Sequence, residues 1–188
     1  MRIKSTLTVG DIVDAVTLPP NARRMVDLGG SHGLHSIAFA QRHPELSATI
    51  VDLPEALANT PAAIEAAGLT DRVGTRTGDF LTDDIGSGYD LALVFEILHN
   101  HTPDENRALL RKTADALGSG GRIVILEDVK GERLDPHNVA FSLAMFACSG
   151  DRTYSLPEIS EFLDQAGFHS IELLTLPSSV SLVVATKK

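Results

Sequence analysis

The chain is predicted to fold as an α/β domain. The expected core is a mostly parallel, seven-stranded sheet with one antiparallel strand near the C-terminus and helices on both faces. Three observations predict this. Between residues 25 and 128, strand-like apolar runs alternate with helix-like patterns, the sequence form of βαβ units. The stretch VDLGGSHG (26–33) joins the first apolar run to the first helical pattern through a glycine-rich turn. The last two apolar runs, 171–176 and 181–186, are separated only by the turn Pro177-Ser178-Ser179, so they must lie antiparallel.

Each element has a local reason. Residues 1–24 hold one short amphipathic stretch, GDIVDAVTL, that stops at Pro19-Pro20 and reads as a lead-in helix or arm before the main domain, 25–188. MVDLG (25–29) is the first strand, and 34–43 is a helix that ends before Pro44. SATIVDL (47–53) is the second strand. A helix is expected over 55–67, with Pro54 at its start and Gly68 past its end. RVGTRTG (72–78) is a third strand, and YDLALVF (89–95) is apolar enough to be covered on both faces. Thr102 and Glu105 have the spacing of a capping box for a helix over 103–117, which Gly118, Gly120 and Gly121 terminate. RIVILED (122–128) is the fifth strand. Helices are expected over 137–147 and 156–166, the second stopped by Gly167.

Composition narrows the function classes. A chain of 188 residues with 43% hydrophobic and 22% charged residues has the make-up of one ordinary globular domain. Its formal charge of −9, with no Lys/Arg run, argues against nucleic acid as the main partner. Cys148 is alone, so neither a disulfide framework nor a cysteine metal site is indicated. No apolar leader or membrane-length apolar run occurs, which makes a cytoplasmic location the default expectation.

The chemistry-bearing pattern is the glycine turn with Asp52 behind it. Strand, glycine turn, helix, strand, acid is how an α/β domain holds a nucleoside: glycines admit the ligand close to the backbone and the acid takes the ribose hydroxyls. Here the pattern is Asp27-x-Gly29-x-x-x-Gly33, not G-x-G-x-x-G. That spacing favours S-adenosylmethionine over a dinucleotide, whose pyrophosphate needs a free helix N-terminus.

From about Val26 onward the chain resembles the small-molecule O-methyltransferases of plant-caffeate and bacterial-antibiotic type. Six segments match in the family's order. They are VDLGGSHG (26–33), VDLPEAL (51–57), GDFL (78–81), EILHN (96–100), LGSGGRIVILEDV (117–129) and SGDRTYSLPEISEFLDQAGF (149–168). The resemblance implies a Rossmann-like class I methyltransferase domain with S-adenosylmethionine as cofactor and no metal. It assigns Asp27, Gly29, Gly30 and Gly33 to the cofactor turn, Asp52 with Leu53 to the ribose side, and Asp79 with Phe80 to the adenine. On position alone Asp79, following Gly78, reads equally as a turn residue.

The same resemblance makes His99 the general base, a role imidazole suits because its reference pKa of roughly 6.5 lies near neutrality. Glu127 and Asp151 match carboxylates that contact the base, Asp151 with a shorter side chain than the usual glutamate. His99 is expected to take the proton of an acceptor hydroxyl while the oxygen attacks the sulfonium methyl. Phe141 and Met145, on the expected helix 137–147, match apolar walls around an aromatic or polyketide-like acceptor, although such a stripe is also ordinary core packing. Asn100 and His101 stand where the family usually has Asp-Trp, so Asn100 faces the acceptor without charge. Full-length relatives carry an N-terminal dimerisation domain; the two dozen residues here suggest an excised catalytic domain or a short form. A homodimer, if formed, is expected to be weakened. Retention of S-adenosylmethionine with a non-methylating hydroxylase or decarboxylase activity, or simple cofactor binding, are the alternatives.

Overall fold

The computed structural model describes residues 2–127, 129, 153–176 and 181–188, with side chains from residue 9 onward. Alternation along the central strands divides the apolar residues between two faces. In β1 (Arg24–Leu28), β4 (Tyr89–Phe95) and β5 (Leu117–Leu126), one face carries Val26, Leu28, Ala92, Val94, Ile123 and Ile125. The other carries Met25, Leu91, Leu93, Phe95, Val124 and Leu126. All are buried, as a period of two demands in a sheet covered on both sides.

With β2 (Ser47–Asp52), β3 (Val73–Thr77), β6 (Phe168–Thr175) and β7 (Ser181–Lys187), the strands form a seven-stranded sheet of order β3-β2-β1-β4-β5-β7-β6. Strand β7 is antiparallel to both β5 and β6, and the pairings from β3 to β5 are parallel. The strand order reverses between β1 and β4. Chain segments leaving those two strands diverge there and open a crevice at the carboxyl ends, where sheets of this kind bind ligands.

Helices cover both faces. Ile12, Val13 and Val16, on or just after α1 (Arg2–Ala15), join Phe39 and Ala40 of α2 (Leu34–Arg42) and Ile64 of α3 (Thr60–Ala66) on the Met25 face. On the Val26 face, α4 (Pro103–Ala116) supplies Leu109 and Leu110, and α5 (Leu156–Gln165) supplies Ile159 and Phe162. The predicted capping box opens α4: Thr102 N–H donates to Glu105 Oε2 at 2.8 Å and Glu105 N–H to Thr102 Oγ1 at 3.3 Å. Among the described residues no helix is long and apolar enough to cross a membrane.

The sequence expectations differ from the structure in four elements. The lead-in helix spans Arg2–Ala15 where the expected amphipathic stretch is 10–18, and β6 begins at Phe168 and not 171. The helix expected over 55–67 is present only as Thr60–Ala66, preceded by turns over 54–59. Pro61 is the cause: it lacks an N–H and its ring would clash with the carbonyl four residues back, so it fits only the first helical turn. The fifth strand begins at Leu117, not 122, and ends at Leu126, not 128. Tyr89 pairs with Leu117 and Leu91 with Arg122, so the glycine segment bulges within the strand instead of only stopping α4. A side chain at Gly121 would stand 2.9 Å from the Gly118 carbonyl oxygen, too close for any other residue. The helix expected over 137–147 lies outside the described residues.

Candidate active site

Four strand ends meet at the crevice. The turn after β1 runs through Gly29 (φ +72°) and Gly33 (φ +73°), left-handed conformations that favour glycine. Gly29 N–H donates to the Val51 carbonyl at 2.9 Å and Gly33 N–H to the Gly30 carbonyl at 2.8 Å. A Cβ at Gly29 would fall 2.3 Å from Ile97 Cδ1 and 3.5 Å from Phe80 Cε1. Those contacts place the loops after β4 and β3 directly against the turn.

Asp52 ends β2, largely buried. Its Oδ2 accepts the Ser31 N–H at 2.9 Å and its Oδ1 the Leu53 N–H at 2.8 Å. Each oxygen of a carboxylate can accept more than one hydrogen bond, so this carboxylate is fixed in direction and keeps acceptor capacity. Leu53 beside it is 50% exposed, an apolar side chain open to solvent next to the carboxylate. Thr60 Oγ1 donates to the Ser31 carbonyl at 2.6 Å, tying the start of α3 to the same turn. Asp79 Oδ1 accepts the Leu81 N–H at 2.9 Å, so Asp79 does form a side-chain turn. Phe80 lies edge-on to His101, ring centroids 5.9 Å apart.

Asp27 is 2% exposed and sits beneath the turn. A Cβ at Gly30 would meet its Cγ at 2.6 Å, and Ser36 Oγ on α2 donates to its Oδ2 at 2.7 Å. Burial pushes its pKa up to about 7; the Ser36 hydrogen bond opposes this and the Asp52 charge adds to it. The folded chain therefore holds a proton that the unfolded chain releases above its ordinary value of 3.8. This group's stabilising protonation is fully present below about pH 4 and is lost as pH rises to about 7, a span of order 4 kcal/mol. Burial of neutral His35, whose pKa falls to about 4, adds stability as pH rises over an overlapping range, so the contribution of Asp27 is read as a difference between chains. In denaturant unfolding the stability of the unaltered chain relative to Asp27→Asn is expected to fall between pH 5 and pH 7 and then level; a difference that does not change with pH would remove Asp27 as its source.

The reactive end of the site is built after β4 and β5. Leu98–Asn100 forms a 3₁₀ turn carrying His99, which is 5% exposed. Glu127, 6% exposed and one residue past β5, accepts the Leu98 N–H on Oε1 at 2.6 Å and meets His99 Nδ1 with Oε2 at 2.8 Å. A carboxylate only accepts, so Nδ1 donates this bond, and in the neutral form of the ring Nε2 is the nitrogen that carries the lone pair.

Further groups hold this turn. Asn106 Nδ2 donates to the Leu98 carbonyl at 2.9 Å, and Tyr154 Oη donates to the His101 carbonyl at 2.6 Å. Asn100, expected at the acceptor, is exposed and donates to the Glu96 carbonyl at 3.2 Å. Glu96 adopts φ +58°, a strained conformation for this residue type, and its Oε2 lies 4.0 Å from His99 Nδ1. Glu96, His99 and Glu127 thus offer donor atoms within 4.8 Å of one another, a spacing compatible with a cation as well as with a hydrogen-bonded pair. His35, edge-on to Phe95 at 4.8 Å, is driven by burial to a pKa of about 4 and stays neutral at working pH.

Of the residues expected at the site, the structure brings His99 and Glu127 together. It sets Gly29 against Phe80 and puts Asp52 beside the glycine turn, while Asp151, Phe141 and Met145 lie outside the described residues. Glu96, Asn106 and Tyr154 are not among the residues that the sequence expectation assigns to the site. Asn106 carried a signal, being a polar residue three positions before Leu109 on the apolar stripe of its helix. Glu96 carried none, because a positive φ at a glutamate has no sequence mark.

Comparison with known proteins agrees with this fold. The family profile of the O-methyltransferase domain matches residues 1–169. The chain belongs to that family. An O-methyltransferase relative, the 3-hydroxy-5-methyl-1-naphthoate 3-O-methyltransferase of Streptomyces sahachiroi, is 36% identical over 93% of this chain and 51% of its own length. The L-tyrosine C(3)-methyltransferase of Streptomyces lavendulae is 33% identical over 100% of this chain and 53% of its own. Among solved structures, the apo S-adenosylmethionine-dependent methyltransferase SibL superposes with a TM-score of 0.87 at 27% identity, over 97% of this chain and 55% of that one. The chain spans about half the length of these two methyltransferase relatives.

Proposed function

We propose that this domain transfers a methyl group from S-adenosylmethionine to a hydroxyl of a small aromatic or polyketide-like molecule, with His99 as general base. The observation that carries the reading is the buried 2.8 Å contact between His99 Nδ1 and Glu127 Oε2. It fixes the ring and its tautomer, so Nε2 is the atom that takes the acceptor's proton. Glu127 then faces the imidazolium that results and stabilises it.

The residues of the crevice fit the cofactor. The glycine turn admits a ligand to the backbone, Asp52 is oriented for ribose hydroxyls, and Leu53 with Phe80 provides apolar surface for adenine. When bound, S-adenosylmethionine supplies an electrophilic methyl on a sulfonium. Catalysis by the chain is then mainly placement, with the base raising the nucleophilicity of the acceptor. No metal is required in this reading. Both Glu127 oxygens already have protein partners, and a cation at Nδ1 would replace the hydrogen bond that orients the base.

The tyrosine C(3)-methyltransferase relative supports a second form of the same chemistry. A phenolate is nucleophilic at oxygen and at its ortho carbon, so one base serves either outcome. Incubation with methyl-labelled S-adenosylmethionine and a panel of phenols and hydroxynaphthoates is expected to give labelled product. The carbon chemical shift of the methyl separates O- from C-methylation. Calorimetric binding of S-adenosylhomocysteine with no transfer to any acceptor would leave a cofactor-binding domain instead.

A further inference from the structure

Lys112, on α4, is partly buried and faces the segment that follows β3. Its Nζ donates to the carbonyls of Phe80 at 3.0 Å and Leu81 at 3.2 Å, and also to the carbonyl of Asp83. An ammonium has three hydrogens, and here all three go to backbone carbonyls of one loop. The loop closes on itself through Thr82 N–H and Asp83 N–H to the Asp79 carbonyl, at 3.1 and 2.7 Å, and Asp79 N–H to Asp83 Oδ2 at 2.9 Å. Such a turn points several carbonyl dipoles the same way. The ammonium offsets their mutual repulsion and ties the loop to a helix.

That helix has a second attachment. Asn106, also on α4, holds the His99 turn through the Leu98 carbonyl at 2.9 Å. Phe80 closes the circuit, with its Cε1 against Gly29 and its ring edge-on to His101. One rigid element therefore positions both the loop bearing Asp79 and Phe80 and the turn bearing the base.

We propose that Lys112 is a positioning residue for cofactor binding, holding the Asp79–Phe80 loop in its binding conformation before the ligand arrives. The proposal rests on the reading of Phe80 as part of the adenine wall. Without the ammonium, the loop must be ordered when the ligand binds, and ordering even a few residues opposes binding. The loss falls on cofactor affinity and not on the chemical step, because Asn106 and Glu127 still hold the base.

The test is calorimetric titration with S-adenosylhomocysteine and steady-state kinetics on Lys112→Met, with Phe80→Ala in parallel. Lys112→Met is expected to raise Kd, and KM for S-adenosylmethionine, about tenfold, equivalent to about 1.4 kcal/mol. The kcat at saturating cofactor and KM for the acceptor are expected to stay unchanged, a split that general destabilisation would not produce. Lys112→Gln, which loses the charge but keeps hydrogen-bonding capacity, is expected to lie between and carries the same test if the methionine variant folds poorly. Unchanged Kd in both Lys112 variants with a weakened Phe80→Ala overturns the role of Lys112 alone, as does a fall in kcat at constant KM. Unchanged Kd in Phe80→Ala overturns the adenine-wall reading, and the Lys112 proposal with it.

Discussion

His99→Ala is expected to lower kcat by about 10²–10⁴-fold while S-adenosylhomocysteine affinity stays near that of the unaltered chain. A phenol is mostly protonated at neutral pH, its reference pKa being about 10, so the acceptor depends on a base to become a strong nucleophile. In the proposed mechanism His99 contributes that base from the turn after β4, whereas the glycine turn and Asp52 with Leu53 stand at the ends of β1 and β2. The alanine variant leaves Glu127 Oε2 buried without the ring, which costs stability. His99→Gln keeps a donor for that oxygen and no usable base, and is expected to lose turnover with less loss of stability. Single-turnover rates with labelled cofactor check both; undiminished rates in either would sink the base assignment.

The second large effect is expected from Glu127→Gln, which alters a few atoms and the whole proton arrangement. The Leu98 N–H requires an acceptor, so the amide oxygen must take the place of Oε1. The amide nitrogen then faces His99 Nδ1 as a donor. That imposes the opposite tautomer, with the hydrogen on Nε2 and no lone pair toward the acceptor. Size, burial and hydrogen-bond count are preserved, so folding and cofactor binding are expected to persist while kcat falls by about 10²–10⁴-fold, as when other buried orienting carboxylates are converted to amides. Equal losses in His99→Gln, Glu127→Gln and the double variant would show that the two residues act as one unit. An unaffected Glu127→Gln would mean that the carboxylate serves only the Leu98 amide.

Much of the architecture was legible because it rests on short-range rules. Near-continuous apolar runs in β1, β4 and β7 mark their positions to within a residue or two, and the Thr102/Glu105 box marks the start of α4. The turn at Pro177 fixed the reversed strand. Where the reading missed, a competing local feature had prevailed. Pro61 shortens α3, and the glycines after α4, which have the spacing of a helix terminator, form a bulged strand. That bulge depends on pairing with Tyr89, a partner far away in the chain.

The site divides in the same way. Sequence by itself determined the fold class, the family, and which residue types stand at the ends of β1, β2, β4 and β5, because those follow from periodicity, glycine spacing and motif order. Only the tertiary structure decided how they act. The approach of Glu127 to His99 across 28 positions, the burial that raises the Asp27 pKa, the left-handed backbone of Glu96 and the Lys112 clamp all arise from neighbours on other elements. A hydrogen bond or a desolvation cost depends on distance in space, and distance in space is set by the sheet order and not by the spacing of residues along the chain.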